Sequence, residues 1–132
     1  MGTPETENFS PDPSSPLFVH SSDIFGISLV HAPFSGSGFG GWKRKMIVAL
    51  SAKNKIAFVD STCTIPTTSG PQQKIWDRCN NMVISWLTSS LSLEIAESVQ
   101  YSDIAQSIWT QLQTRYGTAN RAKIFELKRE LA

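Results

Sequence analysis

The chain has few of the residues on which most enzymes, metalloproteins and membrane proteins depend. Its 132 residues include two cysteines and two histidines, and 12 Lys and Arg residues balance 11 Asp and Glu residues to leave a formal charge of +1. The longest apolar stretches, such as residues 46–50, are far shorter than the roughly 20 residues that a membrane-spanning helix needs. We therefore expect no membrane contact and no global positive field that would draw the chain onto nucleic acid.

The cysteines and histidines are too scattered to predict a metal site. Cys63 and Cys79 stand sixteen positions apart, each without a neighbouring second cysteine, and neither His20 nor His31 is spaced to complete a ligand set. Free thiols are the simpler interpretation. The N-terminus also lacks the charged-then-apolar leader of a secreted protein. We expect an intracellular, cytoplasmic chain without a metal or a cofactor.

No group of side chains predicts catalysis. A nucleophile needs a neighbouring base and an orienting group, and both histidines fall in the weakly patterned N-terminal part. Glu94 with Glu97, and Glu126 with Glu130, have helical spacings that could mimic paired acids, but such carboxylates are usually solvated. We predict that the chain is not an enzyme and that it has no catalytic, cofactor-binding or metal-binding residue.

The sequence is well supplied with apolar residues. They make up 40% of the chain against 17% charged residues, and the length fits one domain. Residues 1–16 are rich in Pro, Ser, Thr and acidic residues, which predicts a disordered arm ahead of a folded domain at residues 17–132. Residues 27–34, interrupted by Pro33, predict a short β or extended segment near the N-terminus.

Hydrophobic periodicity predicts a mainly α-helical bundle of about five helices. Apolar stripes at helical spacing start at Trp42 and run along residues 75–87, and shorter helices are predicted at residues 93–99 and 103–117. A last helix is predicted from about residue 119. Because it has no stop signal before the chain ends, we expect the domain to be truncated at its C-terminus.

The borders of these helices are marked to different degrees. Asp103 and Gln106 have the spacing of a capping box, and Gly117 supplies a left-handed stop for the same helix. Residues 55–60 could be a strand or the end of the preceding helix, and residues 61–73 have the composition of a loop.

Tryptophan continues or begins each of the main helical stripes. A tryptophan buries a large apolar area, so a compact bundle with an aromatic centre is the economical structure. The residues are Trp42, Trp76, Trp86 and Trp109.

One motif favours a different function. Gly36–Gly41 reads GSGFGG, which satisfies the G-x-G-x-x-G pattern of a dinucleotide-binding loop, and Asp60 follows about twenty residues later. The alternative is therefore a nucleotide-binding enzyme fragment that uses the Gly36–Gly41 loop. Against it, Pro33 interrupts the strand that should enter the loop, and helices alone are predicted after Asp60, so the βαβ repeat is missing. A flexible glycine turn is the preferred interpretation.

The order of these segments resembles a known family. The glycine turn and Trp42 are followed by KMIVALSAKNKIAFVDST, then by IWDRCNNMVISWLTSSLSLEIAESV, then by the Ile-Trp-x-x-Leu-x-x-x-Tyr pattern of residues 108–116. From about residue 16 to residue 132 the chain resembles the N-terminal copia-like region and the start of the helical domain of Gag from plant copia-type LTR retrotransposons. Gly38 and Phe39 stand where that family usually has Asn and Tyr.

The resemblance implies a structural polyprotein that self-associates into a capsid-like shell around the RNA of its element. The main RNA-binding region of such proteins is a Cys/His zinc knuckle, which would lie outside this chain. Within the chain, the basic cluster Lys43-Arg44-Lys45 predicts at most a weak, salt-sensitive RNA contact.

Overall fold

A computed structural model describes residues 10–117 and gives a mainly α-helical architecture for them. The described part contains four α-helices, which are α1 (Phe39–Ala52), α2 (Pro71–Ser89), α3 (Leu93–Ser98) and α4 (Ala105–Leu112). A 3-10 turn at Ile56–Phe58 follows α1, and α4 continues into a π turn at Gln113–Gly117. The mainly α prediction is confirmed. The helix predicted from residue 119 lies outside the described residues.

Helix α1 starts at Phe39, three residues before the predicted start at Trp42. Gly38 precedes it in the left-handed conformation, with a φ of 73°, so the glycine turn ends there and Gly40 and Gly41 belong to the helix. The buried residues of α1 are Phe39, Trp42, Met46 and Leu50. Their spacing places them on one face, as the periodicity predicted.

Helix α2 forms the longest element of the described residues. Pro71 occupies its first turn, where a missing N–H costs nothing because that group has no helical partner. The predicted loop at residues 61–73 is therefore shorter than expected. The buried face carries Trp76, Cys79, Asn80, Met82, Val83, Trp86 and Leu87. The predicted stripe is confirmed from Cys79 onward, while Ile75, its first residue, is partly buried.

Helices α1 and α2 run in opposite directions. The indole N–H of Trp42, near the start of α1, donates to the Ser90 carbonyl at the end of α2 over 2.9 Å. At the other end, the Phe58 ring lies 5.7 Å from the Trp76 ring. The molecule therefore has a glycine-loop end and, on its opposite side, an end formed by residues 56–65.

The start of α4 is organised by a residue from α2. Asn80 Nδ2 donates to the Asp103 carbonyl over 2.7 Å, and Asn80 Oδ1 accepts from the Ala105 N–H over 2.9 Å. The helix has no cap from its own flanking side chains. The predicted Asp103–Gln106 capping box is therefore wrong, because the buried amide of Asn80 already satisfies the backbone groups. Gly117 does not take the predicted left-handed conformation either.

The segment before α1 lies across the helices without forming a strand. Phe34 makes a single parallel bridge with Leu91. The Phe34 N–H donates to the Ser90 carbonyl, and the Phe34 carbonyl accepts from the Ser92 N–H. The described residues contain no other β pairing, so the predicted β segment is reduced to one bridge. Residues 12–15 form a hydrogen-bonded turn, and Asn54 donates to the Ser14 carbonyl over 2.9 Å. This portion of the predicted arm thus packs on the folded body.

The core confirms the predicted aromatic centre. All four tryptophans are buried. At the glycine-loop end, neighbouring ring centroids lie 4.8 to 6.2 Å apart, the range of favourable edge-to-face and offset contacts. This aromatic cluster comprises Phe34, Phe39, Trp42, Trp109 and Tyr116.

Candidate assembly surface and glycine loop

The glycine loop does not have the surroundings of a dinucleotide site. The described residues hold no β-strand that could lead into Gly36, and the third glycine of the motif, Gly41, lies inside α1. Gly36 and Gly38 have φ angles of 114° and 73°, values that glycine adopts readily in a turn. These conformations let the chain reverse between the bridge at Phe34 and the first residue of α1. The loop is a turn that positions the aromatic cluster.

Asp60 lies at the wrong end of the molecule to serve that loop. Helix α1 has 14 residues, about 21 Å at roughly 1.5 Å per residue, and it separates Gly38 from the end where Asp60 lies. The Asp60 carboxylate accepts from the N–H and the hydroxyl of Thr62 over 2.9 and 2.6 Å. It forms a local turn, so the pairing of Asp60 with the glycines that the motif requires is absent.

Of the carboxylates and basic residues singled out in the sequence, those that the structure describes lie at or near the surface. Glu94 and Glu97 are exposed on α3, while Glu126 and Glu130 lie outside the described residues. In the basic cluster, Arg44 and Lys45 are exposed and Lys43 is half-buried, and no described carboxylate forms an ion pair with them. Neither histidine belongs to a group of three or more metal-ligating side chains in the described part of the chain.

Buried polar groups instead hold the N-terminal segment onto the helices. Lys55 is 0% exposed, and its Nζ donates to the Phe18 carbonyl over 2.6 Å. Cys79 Sγ, also buried, donates to the Leu17 carbonyl over 3.4 Å. Burial lowers the pKa of the Lys55 ammonium and raises the pKa of the Cys79 thiol, and the attraction between the two groups partly offsets both effects. This arrangement was not predictable from the residues alone, because lysine is rarely fully buried.

A small cavity lies at the end of the molecule formed by residues 56–65. It has a volume of about 140 Å³ and is lined by Phe58, Cys63, Ile65, Trp76 and Ile104, among others. The buried Trp76 indole N–H forms no hydrogen bond of good geometry. It faces the half-buried Cys63 thiol. Burial raises the pKa of that thiol, and the nearby indole N–H offsets part of the increase. A raised pKa makes a thiol a poorer nucleophile at neutral pH.

A second set of contacts fixes residues 24–29 against the end of α2. The Trp86 indole N–H donates to the Ile24 carbonyl over 2.7 Å, and the Gly26 N–H donates to Ser85 Oγ over 3.0 Å. The Leu29 N–H donates to Ser90 Oγ, also over 3.0 Å. These contacts hold the backbone in place, while the side chains of Ile24, Phe25 and Ile27 stay exposed.

Fold and surface together define a small, mainly α-helical domain whose described residues present apolar and mixed surface without a grouped set of catalytic side chains. Residues 20–67 match the model of a family described as the Gag-polypeptide of LTR copia-type. This match confirms the resemblance found in the sequence, over that segment. Comparison with curated proteins and with solved structures yields no match.

The matched segment covers most of the crossing segment, which is residues 17–34 ahead of α1, together with the glycine loop, α1 and the 3-10 turn. The assignment of α2, α3 and α4 to the helical domain of Gag stays a prediction, as does the domain border at residue 16. No helix among the described residues has the length and apolar character needed to cross a bilayer.

Proposed function

We propose that this chain is a non-enzymatic assembly module of a copia-type Gag polyprotein, which self-associates in the cytoplasm into a capsid-like particle around the RNA of its element. The family match at residues 20–67 carries the proposal. Gag proteins of this family are generally structural.

The chemistry of the described surface agrees with such a role. Large apolar side chains are exposed at Ile24, Phe25, Ile27, Val48 and Tyr101. Interfaces between identical copies are more apolar than ordinary protein surface, and symmetry repeats each contact many times in a shell. A net charge of +1 leaves little repulsion between copies.

Light scattering coupled to size-exclusion chromatography tests the self-association. We expect the average mass to rise with concentration for the 132-residue chain, and more steeply for the longer Gag polyprotein that contains it. Negative-stain electron microscopy of the longer protein should reveal closed particles. A strict monomer at high concentration in both forms would contradict the proposal.

RNA contact within this chain would come from the basic cluster on α1. Replacing Lys43, Arg44 and Lys45 by alanine should weaken binding to single-stranded RNA and reduce the slope of log K against log salt by roughly 2, because each phosphate contact contributes about 0.7. The matched control replaces Lys74, Arg78 and Arg115, three exposed cations outside α1, and should change the slope less. Equal losses in both variants would indicate diffuse attraction without a defined basic site.

A further inference from the structure

Residues Ile24–Ile27 form an exposed apolar turn, here called the apolar tip. Ile24, Phe25 and Ile27 keep 57%, 44% and 39% of their surface exposed. Gly26 lies between them in the left-handed conformation, with a φ of 75°, and a side chain at that position would meet open space. Three large apolar side chains exposed within four residues form a patch of the kind that often marks an interaction site.

The tip is held rigidly although its side chains face solvent. Trp86 and Ser85, adjacent residues on α2, bind the backbone at Ile24 and Gly26 over 2.7 and 3.0 Å. Trp86 itself is fully buried, so this anchor belongs to the core. A tip that is already ordered loses little conformational entropy when a partner covers it, which favours binding.

A groove lies directly beside the tip. It has a volume of about 620 Å³ and is lined by residues on both sides of the tip in sequence and by the second half of α1, notably His20, Asp23, Leu29, Ala49, Ala52 and Lys53. Val48, 52% exposed, lies one helical turn from Ala52 and therefore on the same face of α1. The groove falls within the ~300–1,000 Å³ range of clefts that take a ligand-sized group, so it can admit more than one side chain.

The charges in the groove are already neutralised. Lys53 Nζ lies 3.5 Å from Asp23 Oδ1 and 5.0 Å from the centre of the Trp86 ring. The second carboxylate oxygen of Asp23 accepts from the backbone N–H of His20 over 3.0 Å. Two copies that meet across this face would therefore bring together paired charges, and the like-charge repulsion that opposes many symmetric contacts is reduced.

We propose that the apolar tip and this groove form a two-fold interface between two copies of the chain, in which the tip of each copy enters the groove of the other. A two-fold interface of this kind needs a projection and a recess on the same face of the subunit, because each copy presents both to the other. The tip and the groove share residues 20–29 and meet this condition. The inference rests on the proposed assembly function and adds the surface that would be used.

The contact is small, so the dimer should be weak and concentration-dependent. A stable interface buries roughly 800 Å² on each partner, more than four apolar side chains can supply. In a shell, the same contact would gain strength from its repetition.

Single substitutions on the full chain test the surface. Phe25→Asp and Val48→Asp each place a carboxylate in the apolar contact and should weaken dimerisation at least tenfold by sedimentation equilibrium. Leu93→Asp is the matched control, since Leu93 is 77% exposed on α3, outside the tip and the groove, and it should leave dimerisation unchanged. Unchanged urea midpoints would establish that all three variants fold.

A mixing experiment tests the geometry in a Cys63→Ser background, where the buried Cys79 is the remaining native thiol. Phe25→Cys and Ala52→Cys proteins, prepared separately and mixed under mild oxidation, should form a disulfide-linked heterodimer faster than either forms a homodimer. Phe25→Cys mixed with Leu93→Cys should not.

The outcomes separate this inference from the function on which it rests. If the wild-type chain associates while the tip variants and the control behave alike, the surface is wrong and the assembly role stands. If the wild-type chain stays monomeric at every concentration, the interface is overturned, and a monomeric longer polyprotein would overturn the assembly role as well.

Discussion

Lys55 is a fully buried lysine whose ammonium serves one backbone carbonyl, that of Phe18, over 2.6 Å. Removing it from water lowers its pKa, and nearby Cys79, Asp23 and Cys63 offset part of that effect. Because its folded-state pKa is below the unfolded value, the folded chain binds fewer protons there than the unfolded chain does at intermediate pH. The resulting cost is fully present below the lowered pKa and is relieved as pH rises through that pKa toward 10.5.

We therefore expect Lys55→Met to change how stability depends on pH. The free energy of unfolding of the wild-type chain should rise relative to that of Lys55→Met as pH increases from neutrality toward 10.5, because the variant has no buried proton to lose. Urea denaturation at a series of pH values measures the difference. Lys74→Met, the loss of an exposed lysine, is carried through the same series as a control. The prediction would be contradicted if the free energy of unfolding depended on pH in the same way for the wild-type chain and for Lys55→Met.

The role of Lys55 was not predictable from the sequence. The run KIAFVD was compatible with a strand or a helix end, and it formed a 3-10 turn at Ile56–Phe58. The acceptor of the lysine lies 37 positions earlier in the chain. Nothing local marks such a pair, because the apolar stem and the charged group of lysine usually lie at the surface.

Helices α1 and α2 were predictable as elements because their apolar residues repeat at helical spacing over many turns. Their borders depended on contacts that the periodicity does not contain. Helix α1 gained its first turn because Phe39 packs on Phe34 and Trp42, with ring centroids 5.4 and 5.7 Å away. Helix α4 took its cap from Asn80, on a different helix.

The origin of the α4 cap gives a direct test. Asn80→Ala should destabilise the domain by about 1–3 kcal/mol, because the variant leaves the buried N–H of Ala105 and the carbonyl of Asp103 without their partner. Asp103→Ala should cost less than about 0.5 kcal/mol, since the Asp103 side chain is exposed and provides no cap. Urea denaturation of both variants measures the two values. A larger cost for Asp103→Ala than for Asn80→Ala would mean that the Asp103–Gln106 capping box does stabilise α4.

The glycine loop offers a matched pair of substitutions. Gly38→Ala forces a side chain into the left-handed region at a φ of 73° and should cost about 1–2 kcal/mol. Gly41→Ala, inside α1 with open space around it, should be neutral or stabilising by up to about 1 kcal/mol. Thermal unfolding followed by circular dichroism compares them. Equal effects at both sites would contradict the boundary of α1 at Phe39.

At the scale of the whole molecule, the crossing segment joins the ends of the helices into one body. It contacts α2 and Ser90, the residue that follows that helix. Each contacting pair is separated by about sixty positions in sequence, from the pair Leu17 and Cys79 to the pair Leu29 and Ser90. Local pattern could not reveal these pairs, which is why the sequence predicted a short β or extended segment where the structure has an irregular crossing. The candidate interface was missed for the same reason, since its two sides come from distant segments.

This arrangement predicts that the crossing segment and the helices unfold together. Cys79 is buried and bonded to the Leu17 carbonyl, so a thiol reagent should reach it only when that segment leaves the helices. Burial also raises the pKa of this thiol, which lowers the share of the reactive thiolate in the folded chain. In a Cys63→Ser background, the urea midpoint for Cys79 labelling should coincide with the midpoint of tryptophan fluorescence.

The matched Cys79→Ser protein leaves Cys63 as the probe. Because Cys63 is half-buried at the rim of its cavity, it should label in part at urea concentrations where the fluorescence is still native. If Cys79 also labels well below the fluorescence midpoint, the crossing segment detaches on its own. Detachment would release the backbone at Ile24 and Gly26 from Trp86 and Ser85, and the apolar tip could no longer be an ordered part of an interface. Cooperative unfolding of the segment with the helices is therefore the condition for a preformed tip.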